Sequence, residues 1–186
     1  MRLFIAIDLP DDLKINIGRL WADTIPGARW VPVEQIHLTL SFLGEVEESA
    51  VEPLTEKLAH IHVPAFDLRC GGTGCFPTRH RPRVLWIGVE QEPHLYDLAA
   101  KVRAAVLACG IPQEDRHFSP HLTLARLKMK PSSEFDAFLD KHKDLKVPPI
   151  HVREFTLFQS QLNWQGAVHV PIKHFPLAAP GRMSGH

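Results

Sequence analysis

The tetrapeptide His-Leu-Thr-Leu occurs twice in this chain, at residues 37–40 and again at residues 121–124. Its surroundings repeat as well, because each copy lies between two segments with the apolar spacing of helices, with short apolar runs further out. A repeat of about 80 residues with this order predicts an internal duplication. We therefore expect two β-α-β-α-β halves that pack about a pseudo-two-fold axis.

The apolar pattern places the individual elements of both halves. The predicted strands are 3–7, 37–43 and 65–68 in the first half, and 84–89, 121–124 and 152–158 in the second, followed by a last strand at 167–172. Helix caps are expected at Asp11 or Asp12, at Ser49, and at Ser132 or Ser133. The Gly-rich run at 71–74 is expected to form a turn.

These elements predict an α+β fold. We expect a bilobal duplicated molecule with two mainly antiparallel sheets around a central cleft and helices on the outer faces. A single domain is expected over residues 1–178, with intertwined lobes at roughly 1–76 and 83–177 and a disordered tail at 179–186. The 186 residues are enough for two small lobes that share one core.

Composition and charge exclude some classes of function. Lys plus Arg and Asp plus Glu both number 21, whereas a protein that coats long nucleic acid non-specifically needs a strongly basic surface. No apolar run is long enough to cross a bilayer, and the N-terminus lacks the pattern of a signal peptide. The three cysteines form no disulfide pattern and are expected to be free thiols. We therefore expect a cytoplasmic monomer that does not contact membranes.

The repeated tetrapeptide has a clear chemical interpretation. Side chains alternate along a strand, so the leucines point to one face while His37, Thr39, His121 and Thr123 share the other. A single His-x-Thr would be an ordinary structural pair, but its duplication at matching places favours a functional role. Two opposed imidazoles suit acid–base catalysis near pH 7, as in an in-line displacement at phosphorus. The two hydroxyls can donate hydrogen bonds to the non-bridging oxygens.

A metal site is the competing interpretation of the two histidines. A third ligand at a recognisable spacing is missing, and the sequence has no His-Glu-x-x-His motif, phosphate loop or dinucleotide fingerprint. We therefore expect no metal and no other cofactor. Arg126 is a candidate phosphate ligand, but strict alternation places it on the face opposite His121, so this role requires a strand bulge or a strand end.

The paired motifs, together with residues 2–7, 37–44, 82–86, 118–126 and 155–158, resemble the 2H phosphoesterase superfamily. Within it, the chain is similar to the RNA 2′,3′-cyclic phosphodiesterases, also called 2′-5′ RNA ligases. The resemblance implies metal-free hydrolysis of a terminal 2′,3′-cyclic phosphate on RNA to a 2′-phosphomonoester, and related ATP-independent 2′-5′ ligation. It also implies that His37 donates a proton to the leaving oxygen, that His121 activates water, and that Thr39 and Thr123 hold the phosphate.

Substrates implied by the resemblance are RNA with cyclic phosphate ends and cyclic nucleotides. One departure is His169, where the family often has Tyr. Arg79, Arg81 and Arg83 are candidate contacts to the RNA backbone, although a solvated basic loop explains them equally well. Phe42 can stack on a base, but burial in the core is the interpretation that we favour.

Two other functions stay open at this point. The same site can serve a non-catalytic module that binds RNA ends or nucleotides. It can also hydrolyse a different cyclic phosphate, such as a nucleotide 1″,2″-cyclic phosphate.

Overall fold

The computed structural model describes residues 1–22, 25–128 and 132–179. The first repeat contains β1 (Arg2–Asp8), α1 (Asp11–Gly18), β2 (Ala28–Trp30), β3 (His37–Glu45), α2 (Val51–Ala59), β4 (Phe66–Leu68) and β5 (Cys70–Pro77). The second repeat contains β6 (Pro82–Val89), α3 (Pro93–Ala108), β7 (His121–Leu127), α4 (Ser133–Lys141), β8 (Ile150–Val152), β9 (Glu154–Asn163) and β10 (Gly166–Pro176). The α+β class is therefore confirmed.

One large sheet forms the centre of the molecule. Its strand order is β10-β9-β1-β3-β7-β6-β5, with β2 added to β7, and the described pairings are antiparallel. β4 and β8 form a separate two-stranded sheet. The two sheets that we expected for the lobes are joined at one residue pair, Leu38 opposite Leu122. The two copies of the tetrapeptide thus meet at the centre of the sheet.

The repeats exchange strands. β5 of the first repeat pairs with β6 of the second, while β9 of the second repeat pairs with β1 of the first. Each half of the sheet therefore contains strands from both repeats, so the repeats are intertwined. The domain boundary at residue 178 stays a prediction, and residues 180–186 of the expected tail lie outside the described part of the chain.

The leucines of the tetrapeptides bury one face of the sheet. Leu38, Leu122 and Leu124 have no exposed surface and Leu40 is 7% exposed. α3 packs against β3 and presents its own buried side chains to this core, namely Leu95, Leu98, Ala99, Val102 and Val106. Full burial of one leucine stabilises a fold by about 1.5–3 kcal/mol. This burial fixes which face of β3 and β7 remains open to ligands.

One of the expected helix caps is confirmed and the others are wrong. Ser132 caps α4, since its Oγ accepts a hydrogen bond from the Phe135 N–H at 3.2 Å. Ser49 lies in a 3₁₀ turn and is not the cap of α2. α1 follows Pro10, and neither Asp11 nor Asp12 is its N-cap. The Gly-rich run lies inside β5 and is not a turn. There Gly74 lies against the Trp86 ring, so the glycine provides space for packing.

Candidate active site

The two histidines are anchored in the same way. Nδ1–H of His37 donates to the carbonyl oxygen of Gln35 at 2.6 Å, and Nδ1–H of His121 donates to that of Ser119 at 2.8 Å. In both cases the acceptor lies two residues before the histidine. A carbonyl oxygen only accepts hydrogen bonds, so the Nδ1 atoms carry the protons. This leaves Nε2 of each ring as the atom that can gain or lose a proton.

The pair Leu38–Leu122 fixes the relation between the two motifs. Residues that flank an antiparallel pair lie opposite each other on the other face of the sheet. Extended by one residue on each side, this register would place His37 opposite Thr123 and Thr39 opposite His121. The sequence predicts that these four residues share a face, and the pairing at Leu38–Leu122 agrees with that prediction.

A bulge occurs at the same place in both motifs. Ile5 and Ala6 pair with Ser41 and Thr39, leaving Leu40 without a partner in β1. Leu124 is passed over in the same way between the pairs Leu85–Ala125 and Trp86–Thr123. A bulge shifts the alternation by one residue. The residues that follow, Phe42 and Arg126, therefore lie on the histidine face.

The bulge changes the interpretation of both of these residues. Arg126 meets the requirement that the sequence set for a phosphate ligand, and its side chain is exposed. Our preferred interpretation of Phe42 as a core residue is wrong, because Phe42 is 56% exposed and its ring lies 5.9 Å from that of Phe4. Because Phe42 is exposed on the histidine face, it remains a candidate for stacking on an RNA base.

Phe4 forms an apolar support beneath His37. Its ring centroid lies 5.0 Å from His37, 4.8 Å from His169 and 5.1 Å from Phe158, and Phe4 itself is 2% exposed. On the other side, Phe76 meets the His121 ring edge to face at 5.0 Å. Neither aromatic residue was predicted to belong to the site, because Phe4 lies in an ordinary apolar run and Phe76 follows the Gly-rich run that was expected to form a turn. Each catalytic candidate thus rests on a phenyl ring that restricts its orientation.

Burial lowers the pKa of His37 from 6.5 to about 4. The carbonyl of Gln35 and the carboxylate of Asp8 oppose this change, while the nearby His169 and Lys14 add to it. His37 is therefore neutral at pH 7 in the free protein, and its Nε2 accepts a hydrogen bond. The Thr39 hydroxyl, 2.9 Å away, is then the donor.

The β9–β10 hairpin covers His37 and breaks the symmetry of the site. Gln35 Nε2 donates to the carbonyl of Ala167 at 2.5 Å, which ties the hairpin to the segment before β3. The His169 ring lies 5.4 Å from the His37 ring, and burial lowers the pKa of His169 as well. At the opposite end, β5 is the last strand of the described sheet. The half that carries His121 thus lacks a counterpart of β10.

Arg79, the first arginine of the basic loop at residues 79–83, is bound to α4. Arg79 binds two carboxylates of α4, those of Asp136 at 2.8 Å and Asp140 at 3.1 Å. Arg81 and Arg83 are exposed and form no ion pair within the described residues. The structure thus engages Arg79 elsewhere and leaves the other two available to a ligand.

A further arginine lies beside Arg126. Arg29 in β2 is directly opposite Arg126 in β7, so both side chains extend from the same face of the sheet. Arg29 was not predicted from the sequence, because a strand of three residues leaves no periodic signal. Its position adds a second positive charge beside Arg126 on the histidine face.

The described residues show neither a cluster for a metal ion nor a membrane-spanning helix. Within residues 1–22, 25–128 and 132–179, His, Cys, Asp and Glu side chains form no cluster of three or more that could hold a metal ion. The same part of the chain contains no helix long and apolar enough to cross a membrane.

A duplicated antiparallel sheet, with one His-x-Thr strand from each repeat meeting at its centre, defines a two-histidine phosphoesterase architecture. The model of the family described as LigT like Phosphoesterase matches residues 7–86 and again 87–169, one match for each repeat. The chain therefore belongs to the LigT-like phosphoesterase family.

Individual relatives support this assignment over almost the whole chain. The RNA 2′,3′-cyclic phosphodiesterase of Archaeoglobus fulgidus is 33% identical over 177 residues, covering 94% of this chain and 99% of the relative. The enzyme of the same name from Thermotoga maritima is 34% identical and covers 91% of both chains. The crystal structure of Escherichia coli LigT with 3′-AMP matches with a TM-score of 0.76 and 32% identity, covering 95% of this chain and 97% of the other.

Proposed function

We propose that this protein hydrolyses the 2′,3′-cyclic phosphate at the end of an RNA to a 2′-phosphomonoester without a metal ion. The observation that carries the proposal is the pair of imidazoles on one face, each held through Nδ1 with Nε2 left to exchange a proton. An in-line displacement at phosphorus needs a base on the side of the attacking water and an acid on the side of the leaving oxygen. Two histidines related by a pseudo-two-fold axis satisfy both needs.

Each residue of the site has a role in this proposal. His121 takes a proton from the attacking water, and His37 gives a proton to the departing 3′ oxygen. Thr39 and Thr123 donate hydrogen bonds to the non-bridging oxygens, where negative charge increases in the transition state. Arg126 adds a charged contact to the phosphate from the same face.

The burial of His37 couples its protonation to substrate binding. A proton donor must carry a proton, but burial lowers the pKa of His37 to about 4 in the free protein. The cyclic phosphodiester is an anion, and an opposite charge next to an imidazole favours the charged form of the ring. We propose that the bound phosphate raises the pKa of His37, so that substrate and proton enter the site together.

The relatives support the substrate class. The proteins from Archaeoglobus fulgidus and Thermotoga maritima bear the name RNA 2′,3′-cyclic phosphodiesterase, and the LigT structure contains a nucleotide with a 3′-phosphate. We propose that RNA ends and cyclic nucleotides are the substrates of this chain too, and that it works as a cytoplasmic monomer. We also propose that reversible 2′-5′ ligation is the same displacement with a 5′-hydroxyl of a second RNA in place of water, the 3′ oxygen again being the leaving group.

A non-catalytic module for nucleotides is the second candidate. Binding alone would accept Asn, Gln or Arg at either histidine position, whereas proton transfer on both sides of phosphorus requires an imidazole at each. Both positions are histidine in this chain, so we favour the enzyme.

Incubation with 2′,3′-cyclic AMP, with and without EDTA, tests the proposal. We expect 2′-AMP as the product, equal rates in both conditions, and a loss of roughly 100- to 10,000-fold in His37→Ala and in His121→Ala. His60→Ala is the matched control, because His60 is an exposed histidine bonded to the Glu56 carbonyl on α2. Binding without turnover would support the non-catalytic module. Hydrolysis of a nucleotide 1″,2″-cyclic phosphate, with none of 2′,3′-cyclic AMP, would show that the substrate is another cyclic phosphate.

A further inference from the structure

The tip of the β9–β10 hairpin exposes two large apolar side chains. Trp164 is 91% exposed and Leu162 is 79% exposed, more than the other exposed large apolar residues of the described chain. Leu162 pairs with Ala167, and Ala167 is two residues from His169, so Leu162 extends from the hairpin on the same face as His169. Leu162 is thus oriented towards the side of the sheet that carries His37.

The position of the tip is fixed relative to the active site. Gln35, two residues before His37, binds the hairpin at Ala167, and the ring of His169 contacts that of His37. The turn itself is ordered by the Asn163 side chain, which accepts from the Gln165 N–H at 2.8 Å. Trp164 therefore projects from an ordered turn of the hairpin whose His169 contacts His37.

Two arginines connect the tip with the phosphate site. Arg29 and Arg126 lie opposite each other on β2 and β7, and neither forms an ion pair within the described residues. Nη2 of Arg29 lies 4.0 Å from the position that a Cβ would occupy on Gly166, which places this guanidinium at the hairpin turn. Like charges directly opposite each other in a sheet repel, so a bound anion would stabilise the arrangement.

We propose that Arg29, Arg126, Leu162 and Trp164 form a binding surface for the single-stranded RNA that precedes the cyclic phosphate. Arg29 contacts the phosphate of the preceding nucleotide, and the indole of Trp164 stacks on a base. The inference rests on the proposed function and specifies its substrate as an oligonucleotide chain. Single-stranded RNA alternates anionic phosphates with planar bases, and protein sites for it combine basic residues with exposed aromatic rings.

The test compares two substrates in the full-length protein. We define the chain preference as kcat/KM for a trinucleotide with a 2′,3′-cyclic phosphate divided by kcat/KM for 2′,3′-cyclic AMP. In the wild-type protein this ratio is expected to exceed one. Trp164→Ala is expected to lower it about tenfold, within the range reported for loss of one base–aromatic stack. Trp164→Phe retains a stacking ring and is expected to restore most of the preference.

Arg29 is tested through the dependence on salt. Arg29→Gln is expected to lower the chain preference and to reduce the slope of log affinity against log salt by about 0.7 for the trinucleotide, as expected for one lost phosphate contact on a single strand. The control is Ile15→Ala, which removes a 61% exposed apolar side chain from α1 and is expected to leave the preference unchanged.

The outcomes separate the inference from the proposed function. Hydrolysis of 2′,3′-cyclic AMP with an unchanged chain preference in Trp164→Ala and in Arg29→Gln would overturn the inference and leave the proposed function intact. If the wild-type protein hydrolyses neither substrate, the proposed function is overturned, and the inference with it. A fall in preference in Trp164→Ala that Trp164→Phe does not restore would also overturn the stacking role, and would leave the hairpin tip as a contact for another partner.

Discussion

Gly74 in β5 controls the position of His121 through two aromatic rings. Three ring carbons of Trp86 lie 2.8 Å or less from the position of a Cβ on Gly74. Carbon atoms in contact need about 3.5–4.0 Å. Gly74→Ala therefore requires the indole to move by about 1 Å. The Trp86 ring lies 5.1 Å from that of Phe76, which in turn contacts the His121 ring at 5.0 Å, so the movement is transmitted to the imidazole.

The expected magnitude follows from these contacts. Overpacking of a well-packed site costs about 1–3 kcal/mol, and a protein of 150–250 residues loses about 2–4 °C of Tm for each kcal/mol. A displacement of about 1 Å at a catalytic group can lower turnover about 100-fold. We expect Gly74→Ala to lower both Tm and kcat/KM for 2′,3′-cyclic AMP, measured by thermal unfolding monitored by circular dichroism and by product formation.

A second substitution tests the cause. Trp86→Phe in the Gly74→Ala background removes the ring carbons that collide with the new methyl group. The indole N–H of Trp86 has no hydrogen-bond partner among the described residues, so no hydrogen bond is lost. The double variant is expected to be more stable than the sum of the single effects predicts, as a double-mutant cycle would show. This steric explanation is refuted if Gly74→Ala keeps the Tm and turnover of the wild type. It is also refuted if the effects of Gly74→Ala and Trp86→Phe are strictly additive.

Three further predictions concern charge. First, the unfolding free energy of the wild type should fall by up to about 3 kcal/mol more than that of His37→Asn between pH 7 and pH 4, measured by urea denaturation. The reason is that His37 has a pKa of 6.5 when unfolded and of about 4 when folded, so only the unfolded chain takes up a proton as the pH falls through this window. An equal fall in both proteins would contradict the burial of a neutral ring. Second, 2′,3′-cyclic AMP bound to the inactive His121→Ala variant at pH 6 should take up a substantial fraction of one proton, measured by calorimetry in buffers of different ionisation enthalpy. Binding without proton uptake would argue against a protonated His37 in the complex. Third, Arg79→Gln should leave Tm almost unchanged and kcat/KM within twofold, because its partners are exposed carboxylates of α4. A large loss of turnover would instead indicate that Arg79 contacts the substrate.

The duplicated motif made the centre of this protein readable from its sequence. Strand alternation is enough to place His37, Thr39, His121 and Thr123 on one face, because the leucines between them must be buried. The single pair Leu38–Leu122 that joins the two halves was not predictable, since a pairing between distant strands leaves no local pattern.

What the sequence did not reveal depends on departures from regular alternation. The bulges at Leu40 and Leu124 are invisible in the apolar pattern, and they determine where Phe42 and Arg126 point. The burial of His37 is another such property, because it involves Phe4 in β1 and a hairpin more than 100 residues further along the chain. The Gly-rich run read as a turn because glycine has two uses, and here space for the Trp86 ring outweighs backbone freedom.

The strand exchange between the repeats has an implication for how such a chain arose. A protein made of one repeat would present the edges of its β1-type and β5-type strands without partners, and exposed edges pair readily with other chains. Two identical copies would satisfy each other by the exchange seen between β5 and β6 and between β9 and β1. The ancestor inferred from this topology is a symmetric dimer with one histidine from each subunit and no distinction between acid and base. In the present chain β10 extends one side of the described sheet and β5 ends the other, so the two histidines have different surroundings.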